Sequence, residues 1–265
     1  MDRKLALVTG ASAGIGAAFA RLLAAKGYDL ALTARRADRL DALAGEIRGK
    51  HGVEVLVVPA DLAEPSAPAA ILAQLAAQGR SVDVLINNAG YGLTGTFAAT
   101  TWADQAAFIQ VMMTAPSELA HRTLPGMRAR GYGRIVNVAS LAGLLPGGGG
   151  HTLYAAVKAY MLRFSESLHT ENLGSGVHVS ALCPGLTWSE FHDANGTRAQ
   201  MDATPGWMWM AAEPVVAAGW AAVEANRPLS LPGAPNKAIA AVARALPESW
   251  GMKLMAAQGK RVERL

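Results

Sequence analysis

Short apolar runs alternate along the chain with longer Ala-rich segments of helical period, and this alternation predicts an α/β fold: a doubly wound parallel sheet with helices on both faces. The runs themselves support that reading. They are brief, β-branched and apolar at consecutive positions, as strands covered on both faces must be. No linker, repeat or composition break interrupts the pattern before about residue 185. A single domain over residues 1–265 is therefore expected.

The strands are expected at Leu5–Val8, Leu30–Thr33, Val55–Val58, Val82–Ile86, Ile135–Val138 and Val177–Leu182. Between them, helices are expected at Ile15–Lys26, Asp38–Lys50, Ala67–Gln78, Asp104–Arg130 and Thr152–Leu173, joined by right-handed crossovers. The pattern then changes. Residues 186–212 gather Trp188, Trp207, Met208, Trp209 and Met210 among Gly, Pro and polar residues, and are expected to form a substrate lid. A helix after Pro214, a short strand at Leu229–Pro232 and a helical tail over about 235–265 complete the expected domain. The tail carries Trp250, Met252, Leu254 and Met255.

Composition narrows the function classes. Of 265 residues, 51% are apolar and 17% charged, enough to fill a large core. The net charge of +4 suits an anionic ligand, but Lys and Arg are scattered. Without a basic run, no nucleic-acid partner is expected. Cys183 is the single cysteine, which excludes an internal disulfide and a cysteine metal cluster and reads as a small core hydrophobe. The apolar stretch after Met1-Asp2-Arg3-Lys4 is too short for a signal-peptide core. No apolar segment approaches bilayer-spanning length, so no stable membrane insertion and a cytoplasmic location are expected. His151, His169, His178 and His192 lack paired ligand spacing, and no metal is expected.

The first strand runs directly into Thr9-Gly10-Ala11-Ser12-Ala13-Gly14-Ile15-Gly16, which opens the first helix. Glycines at such a junction permit a tight turn, close approach of a pyrophosphate, and close helix–sheet packing. Backbone N–H groups at Gly14 and Ile15 would then face the anion. The second strand ends in Arg35-Arg36, where an NAD-binding protein commonly carries an acid for the ribose 2′-hydroxyl. Two guanidiniums suit a 2′-phosphate instead, with Ser12 adding a hydroxyl. The competing reading, solvated arginines at a helix start, is disfavoured because a helix N-terminus does not attract cations. NADP(H) is therefore the expected cofactor.

The spacing Gly-x-x-x-Gly-x-Gly behind a threonine resembles the short-chain dehydrogenase/reductase family, whose domain is Rossmann-like. Other motifs extend the resemblance across about residues 5–190. Asp61-Leu62 follows the third strand, where the family contacts adenine, and Asn87-Asn88-Ala89-Gly90 follows the fourth. In the family, asparagines there brace the sheet while the Ala-Gly backbone passes the cofactor. Tyr154 and Lys158, four residues apart, share one helix face. A neighbouring cation lowers a tyrosine pKa, fitting Tyr154 for general acid/base work on a carbonyl or alcohol. The resemblance gives Ser140 the orientation of the substrate oxygen and Lys158 a hold on the nicotinamide ribose. Pro184, Gly185 and nearby Thr187 would border the nicotinamide. Leu119–Leu141 and Ser165–Phe191 resemble a bacterial branch of general oxidoreductases in the family. The resemblance further implies a homodimer or homotetramer, through the helices at 104–130 and 152–173.

Departures from the family pattern carry their own expectations. Met112 stands where the family has an asparagine that supports a water linking the lysine to solvent, so a weaker proton relay with retained cofactor binding is expected. Main-chain carbonyls near Val111 and Met112 remain available to that water. Between Ser140 and Tyr154 the chain is about one residue longer than usual and contains Gly147-Gly148-Gly149-Gly150, whose wide φ/ψ range absorbs an insertion. Trp188, Phe191, Trp207, Met208, Trp209 and Met210 either line a pocket for a bulky hydrophobic carbonyl or pack under the lid or on a partner subunit. His151 is a further candidate for the pocket. The leading reading is an NADP(H)-dependent oxidoreductase acting on a small-molecule carbonyl or alcohol, with a bulky hydrophobic or aromatic ketone or a long acyl chain as the expected substrate. The alternatives are an NADP(H) sensor or scaffold with little turnover, and a membrane-associated lipid reductase.

Overall fold

The computed structural model describes residues 3–150, 152–190, 204–247 and 249–253. Its strands are β1 (Leu5–Thr9), β2 (Asp29–Thr33), β3 (Val55–Val57), β4 (Val82–Asn87), β5 (Gly133–Val138), β6 (Val177–Leu182) and β7 (Leu229–Ser230). They form one 7-stranded sheet in the order β3-β2-β1-β4-β5-β6-β7, with every neighbouring pair parallel. The helices are α1 (Gly14–Ala25), α2 (Ala37–His51), α3 (Ala67–Ala77), α4 (Trp102–Ile109), α5 (Ala115–Ala129), α6 (Thr152–Glu171), α7 (Ala212–Glu224) and α8 (Ala234–Ala245).

Successive strand residues point to opposite faces, so each apolar run feeds two cores. Ala6, Val8, Leu30 and Leu32 pack with α1, α2 and α7 on one face. Leu5, Leu7, Leu85 and Ile135 pack with α3, α5 and α6 on the other. The chain leaves β1 toward β2 and β3, then returns to β4 on the other side of β1. That reversal opens a crevice beyond the carboxyl ends of β1 and β4, the usual ligand position in such sheets.

A buried amide ladder ties the sheet to its helices. Asn87 Nδ2 donates to Asn137 Oδ1 at 2.9 Å across β4 and β5, and to Pro116 O at 3.2 Å in α5. Asn137 Nδ2 in turn donates to Ser165 Oγ at 2.9 Å in α6.

The expected helix over 104–130 is divided into α4, a π-helical turn at Gln110–Thr114, and α5. Pro116 supplies a reason. It has no N–H to donate to the Met112 carbonyl four residues earlier, and its ring crowds that carbonyl. The helix expected after Pro214 begins earlier, at Ala212, with Pro214 in its first turn where a missing N–H is tolerated. In the expected helical tail, α8 is followed by a helical stretch through residue 253, and Leu254 and Met255 lie outside the described residues. Among the described residues, no helix is long and apolar enough to cross a membrane.

Candidate active site

The glycine turn is held from both sides of the crevice. Gly10 and Gly14 adopt φ of 65° and 52°, a region that costs an L side chain energy. A Cβ on Gly10 would stand 2.8 Å from Ala89 Cα, and one on Gly16 would stand 2.2 Å from Gly10 O. The turn is therefore pressed against both the β4 loop and its own helix. Thr9 Oγ1 donates to Ile86 O at 3.1 Å and accepts the N–H groups of Asn88 and Ala89 at 2.9 and 3.0 Å. Asn88 Nδ2 donates to Thr9 O and Gly10 O at 2.9 and 3.2 Å. That donor group of Asn88 is thus engaged with the turn. Ala89 and Gly90 continue from it along the crevice. Gly14 and Ile15, in the first turn of α1, retain partial exposure. These are donors of the kind a pyrophosphate uses.

At the end of β2, Arg35 and Arg36 are both exposed. Arg36 donates to Ser12 Oγ at 3.0 Å, so the predicted pair of Ser12 and Arg36 does meet. Arg36 and Arg39 also both reach the carboxylate of Glu190. Sequence reasoning named neither Arg39 nor Glu190. Asp61 is exposed, with Oδ1 accepting the Ala63 N–H at 3.0 Å, and Leu62 is buried beside it.

Ser140, Tyr154 and Lys158 come together beyond β5. The hydroxyl of Ser140 is hydrogen-bonded with that of Tyr154. Despite the long Gly147–Gly150 connection, the two therefore converge. The contact rests on Gly143, a residue the motifs did not single out. It lies in the short 3-10 turn Leu141–Leu144, and a Cβ on it would stand 2.6 Å from the Lys158 backbone carbonyl. Only a glycine lets this turn sit directly on α6. Leu141 N–H donates to Pro184 O at 2.8 Å, which ties the Ser140 loop to the segment after β6.

The electrostatics of the pair differ from expectation. Tyr154 keeps partial exposure, yet desolvation of its hydroxyl raises its pKa above 10, opposed by the Ser140 hydrogen bond. Lys158 does not produce the expected lowering. Its Nζ lies 5.7 Å from the Tyr154 ring centroid and donates to Val138 O at 2.8 Å. Burial drives Lys158 itself down to about 8.

Met112 lies in the π-helical turn, 3% exposed, with its sulfur against Gly90. Next to it is a cavity of about 10 Å³, lined by Thr9, Asn87, Val111, Met112, Val138 and Lys158 among others. That is about the room one water needs. Asn87 Oδ1 is buried and has no protein partner. A water in the cavity would offer a donor to a group that is costly to leave unpaired.

After β6, Gly185 packs on Asn236, where a Cβ would meet Oδ1 at 2.2 Å. Thr187 is buried, donates to Gly185 O at 3.2 Å, and forms a parallel bridge with Met210. Ser189 lies against Gly14, 2.8 Å from the position of an added Cβ, so it faces the phosphate turn. Sequence reasoning passed over Ser189 for Thr187. Trp188 stacks on Trp209 with centroids 4.2 Å apart, while Trp207 is 68% exposed. Of the expected lid, 186–190 and 204–212 are described; Phe191 and His192 lie outside the described residues, as does His151. His178 Nδ1 is hydrogen-bonded with Val223 O at 2.9 Å, and no metal-binding group is found among the described residues. Cys183 is buried with its thiol pushed up to about 12, the inert core residue expected.

A parallel sheet with a glycine turn at its switch point and a Tyr–Lys pair beside it defines a dinucleotide-binding oxidoreductase. The short chain dehydrogenase profile matches residues 4–199, and the chain belongs to that family. It is 35% identical over 182 residues to ketoacyl reductase HetN of Nostoc sp., covering 69% of this chain and 63% of that protein. A solved short-chain dehydrogenase from Sphingobium yanoikuyae in complex with NADPH is 33% identical, with a TM-score of 0.79 over 91% of this chain and 94% of the other. The bulky-bulky ketone specific alcohol dehydrogenase from Comamonas testosteroni is 30% identical, with a TM-score of 0.76 over 92% and 93%.

Proposed function

We propose that this chain is an NADP(H)-dependent oxidoreductase that interconverts a carbonyl and an alcohol. The observation that carries this reading is the convergence of Ser140, Tyr154 and Lys158 beside the glycine turn. The turn fits the cofactor: Gly10 and Gly16 let it pack directly on the β4 loop and its own helix, Gly14 and Ile15 leave the start of α1 partly exposed, and Arg35, Arg36 and Ser12 suit a 2′-phosphate. Asp61 and Leu62 border the adenine, and Ala89, Gly90, Pro184, Gly185 and Thr187 border the rest of the dinucleotide. The bound cofactor supplies the hydride in reduction and accepts it in oxidation.

In reduction, the Tyr154 O–H transfers its proton to the carbonyl oxygen, and the Ser140 hydroxyl donates a hydrogen bond to that oxygen. The raised pKa keeps Tyr154 protonated at neutral pH, the form reduction consumes. The Ser140 hydrogen bond, the one influence that favours the phenolate, steadies the phenolate that remains, while the Lys158 ammonium, anchored on Val138 O, is placed to hold the nicotinamide ribose. The relatives above, a ketoacyl reductase and a bulky-bulky ketone specific alcohol dehydrogenase, support a bulky hydrophobic carbonyl or acyl substrate. A homodimer or homotetramer completes the proposal. Oxidation of NADPH and of NADH is compared over a panel of ketones and aldehydes. No turnover of any carbonyl would sink the reading in favour of a sensor.

Lys158 also sets a pH dependence. With its pKa depressed to about 8, the charged form is present below that pH and lost above it. For the reductive direction, kcat/KM is expected to fall as pH rises through about 8, since that ratio reports the free enzyme. A flat profile between pH 7 and 9 would remove Lys158 protonation from the rate.

The sensor reading rests on Met112, whose thioether lines the cavity beside Lys158. A thioether is a poor hydrogen-bond partner, so a water there depends on Asn87 and main-chain carbonyls. Met112→Asn is expected to raise kcat at saturating substrate by about threefold to tenfold, less than the roughly 10²- to 10⁴-fold of a general acid itself because main-chain carbonyls already serve the water. Unchanged turnover would show that the relay is not limited at this position.

A further inference from the structure

The segment 186–190 is held down at several points. Trp188 N–H donates to Met210 O at 2.9 Å, Met210 N–H donates to Leu186 O at 3.0 Å, the Trp188 ring stacks on Trp209, and Ser189 rests on Gly14. These contacts deliver Glu190 to the mouth of the phosphate turn, where its carboxylate accepts from Arg36 at 3.0 Å and from Arg39. Arg36 simultaneously donates to Ser12 Oγ at 3.0 Å. One anion thus spans the guanidiniums of two arginines beside a serine hydroxyl, an arrangement that equally suits a phosphate monoester.

We infer that Glu190 is a specificity-determining residue: its carboxylate stands in for the cofactor's 2′-phosphate on Arg36 and Arg39, and NADP(H) binds by displacing it. This rests on the reading of Arg36 as a 2′-phosphate ligand. It adds Arg39 as a second ligand and makes the arginines pre-engaged instead of open. Both arginines hold the Glu190 carboxyl below the ordinary carboxylate range, so the competing anion is present at neutral pH. A ligand without a 2′-phosphate has no need to break the contact. Glu190 therefore weakens NADP(H) binding selectively and narrows the gap between NADP(H) and NAD(H).

The probes are adenosine 2′,5′-bisphosphate and 5′-AMP, titrated calorimetrically into the full chain, so that the readout is binding and not turnover. Glu190→Gln is expected to tighten the bisphosphate by about tenfold, given two exposed ion pairs, and to leave 5′-AMP unchanged. Its gain should shrink at high salt, where the wild-type contact is already screened. Equal or weaker bisphosphate binding by Glu190→Gln overturns the inference, because the carboxylate would then be irrelevant or a support for the arginines. Arg36→Ala separates this from the underlying reading. Reduced discrimination between the probes in Arg36→Ala upholds the 2′-phosphate reading whatever Glu190 does. Undiminished discrimination overturns both. The Glu190 side chain is 46% exposed, and an unchanged Tm in Glu190→Gln is expected to accompany the affinity change.

Discussion

Tyr154→Phe is expected to lower kcat for carbonyl reduction by about 10²- to 10⁴-fold, the range for loss of a positioned general acid. NADPH affinity should stay within about twofold, because removing one phenol oxygen leaves the glycine turn and the arginines untouched. The substitution isolates the proton step. Tyr154 packs against the buried cluster on the α6 face of the sheet, and phenylalanine retains that packing. The measurement is steady-state turnover at saturating cofactor together with a direct NADPH titration. Turnover within tenfold of wild type would mean that another group protonates the substrate oxygen.

Gly143→Ala is the second substitution expected to act strongly, and motif matching alone gives no warning of it. A methyl group here would stand 2.6 Å from the Lys158 carbonyl carbon and oxygen, and 2.8 Å from Ala159 N. These are backbone atoms of α6 and cannot swing aside, so the turn carrying Ser140 must lift. A displacement of about 1 Å in a catalytic group costs on the order of 10²-fold in rate. We expect that loss in kcat with a folded protein by circular dichroism. Gly147→Ala is the control: nothing lies within 4 Å of its added Cβ, and activity should be retained. Equal activity in the two variants would mean that the Ser140 turn is free to move without consequence.

Much of the fold was legible because parallel strands covered on both faces leave a plain mark. Val177–Leu182 was expected and observed with the same bounds, and the other strands differ by a residue or two at their ends. Ends are harder, since the last strand residues contact turns and not facing helices. The helix over 104–130 shows a different limit. Its periodicity is helical throughout, yet residues 110–114 form a π turn just before Pro116, which has no N–H for the Met112 carbonyl. That turn brings Met112 beside both Gly90 and the cavity at Lys158, a juxtaposition absent from linear order.

The site divides in the same way. Local motifs carried the glycine turn, Asn87-Asn88-Ala89-Gly90, Ser140 and the Tyr154–Lys158 pair, because each is written in neighbouring residues or in residues a helical turn apart. They could not carry the sign of the Tyr154 shift. Sequence places a cation four residues away and suggests a lowered pKa, whereas the folded protein buries the hydroxyl and turns the ammonium toward Val138. Nor could they carry Glu190, which is 154 positions from Arg36 and meets it only because residues 186–190 fold over Gly14.

By itself, then, the sequence determined the doubly wound architecture, the family, the glycine turn and the helical spacing that pairs Tyr154 with Lys158. These depend on short-range pattern: hydrophobic period, turn chemistry and helical spacing. Tertiary structure alone decided the protonation balance of Tyr154 and Lys158, the dependence of Ser140 on Gly143, and the occupation of Arg36 and Arg39 by Glu190. Each of those follows from desolvation or from contact between distant segments, and neither exists until the chain is packed.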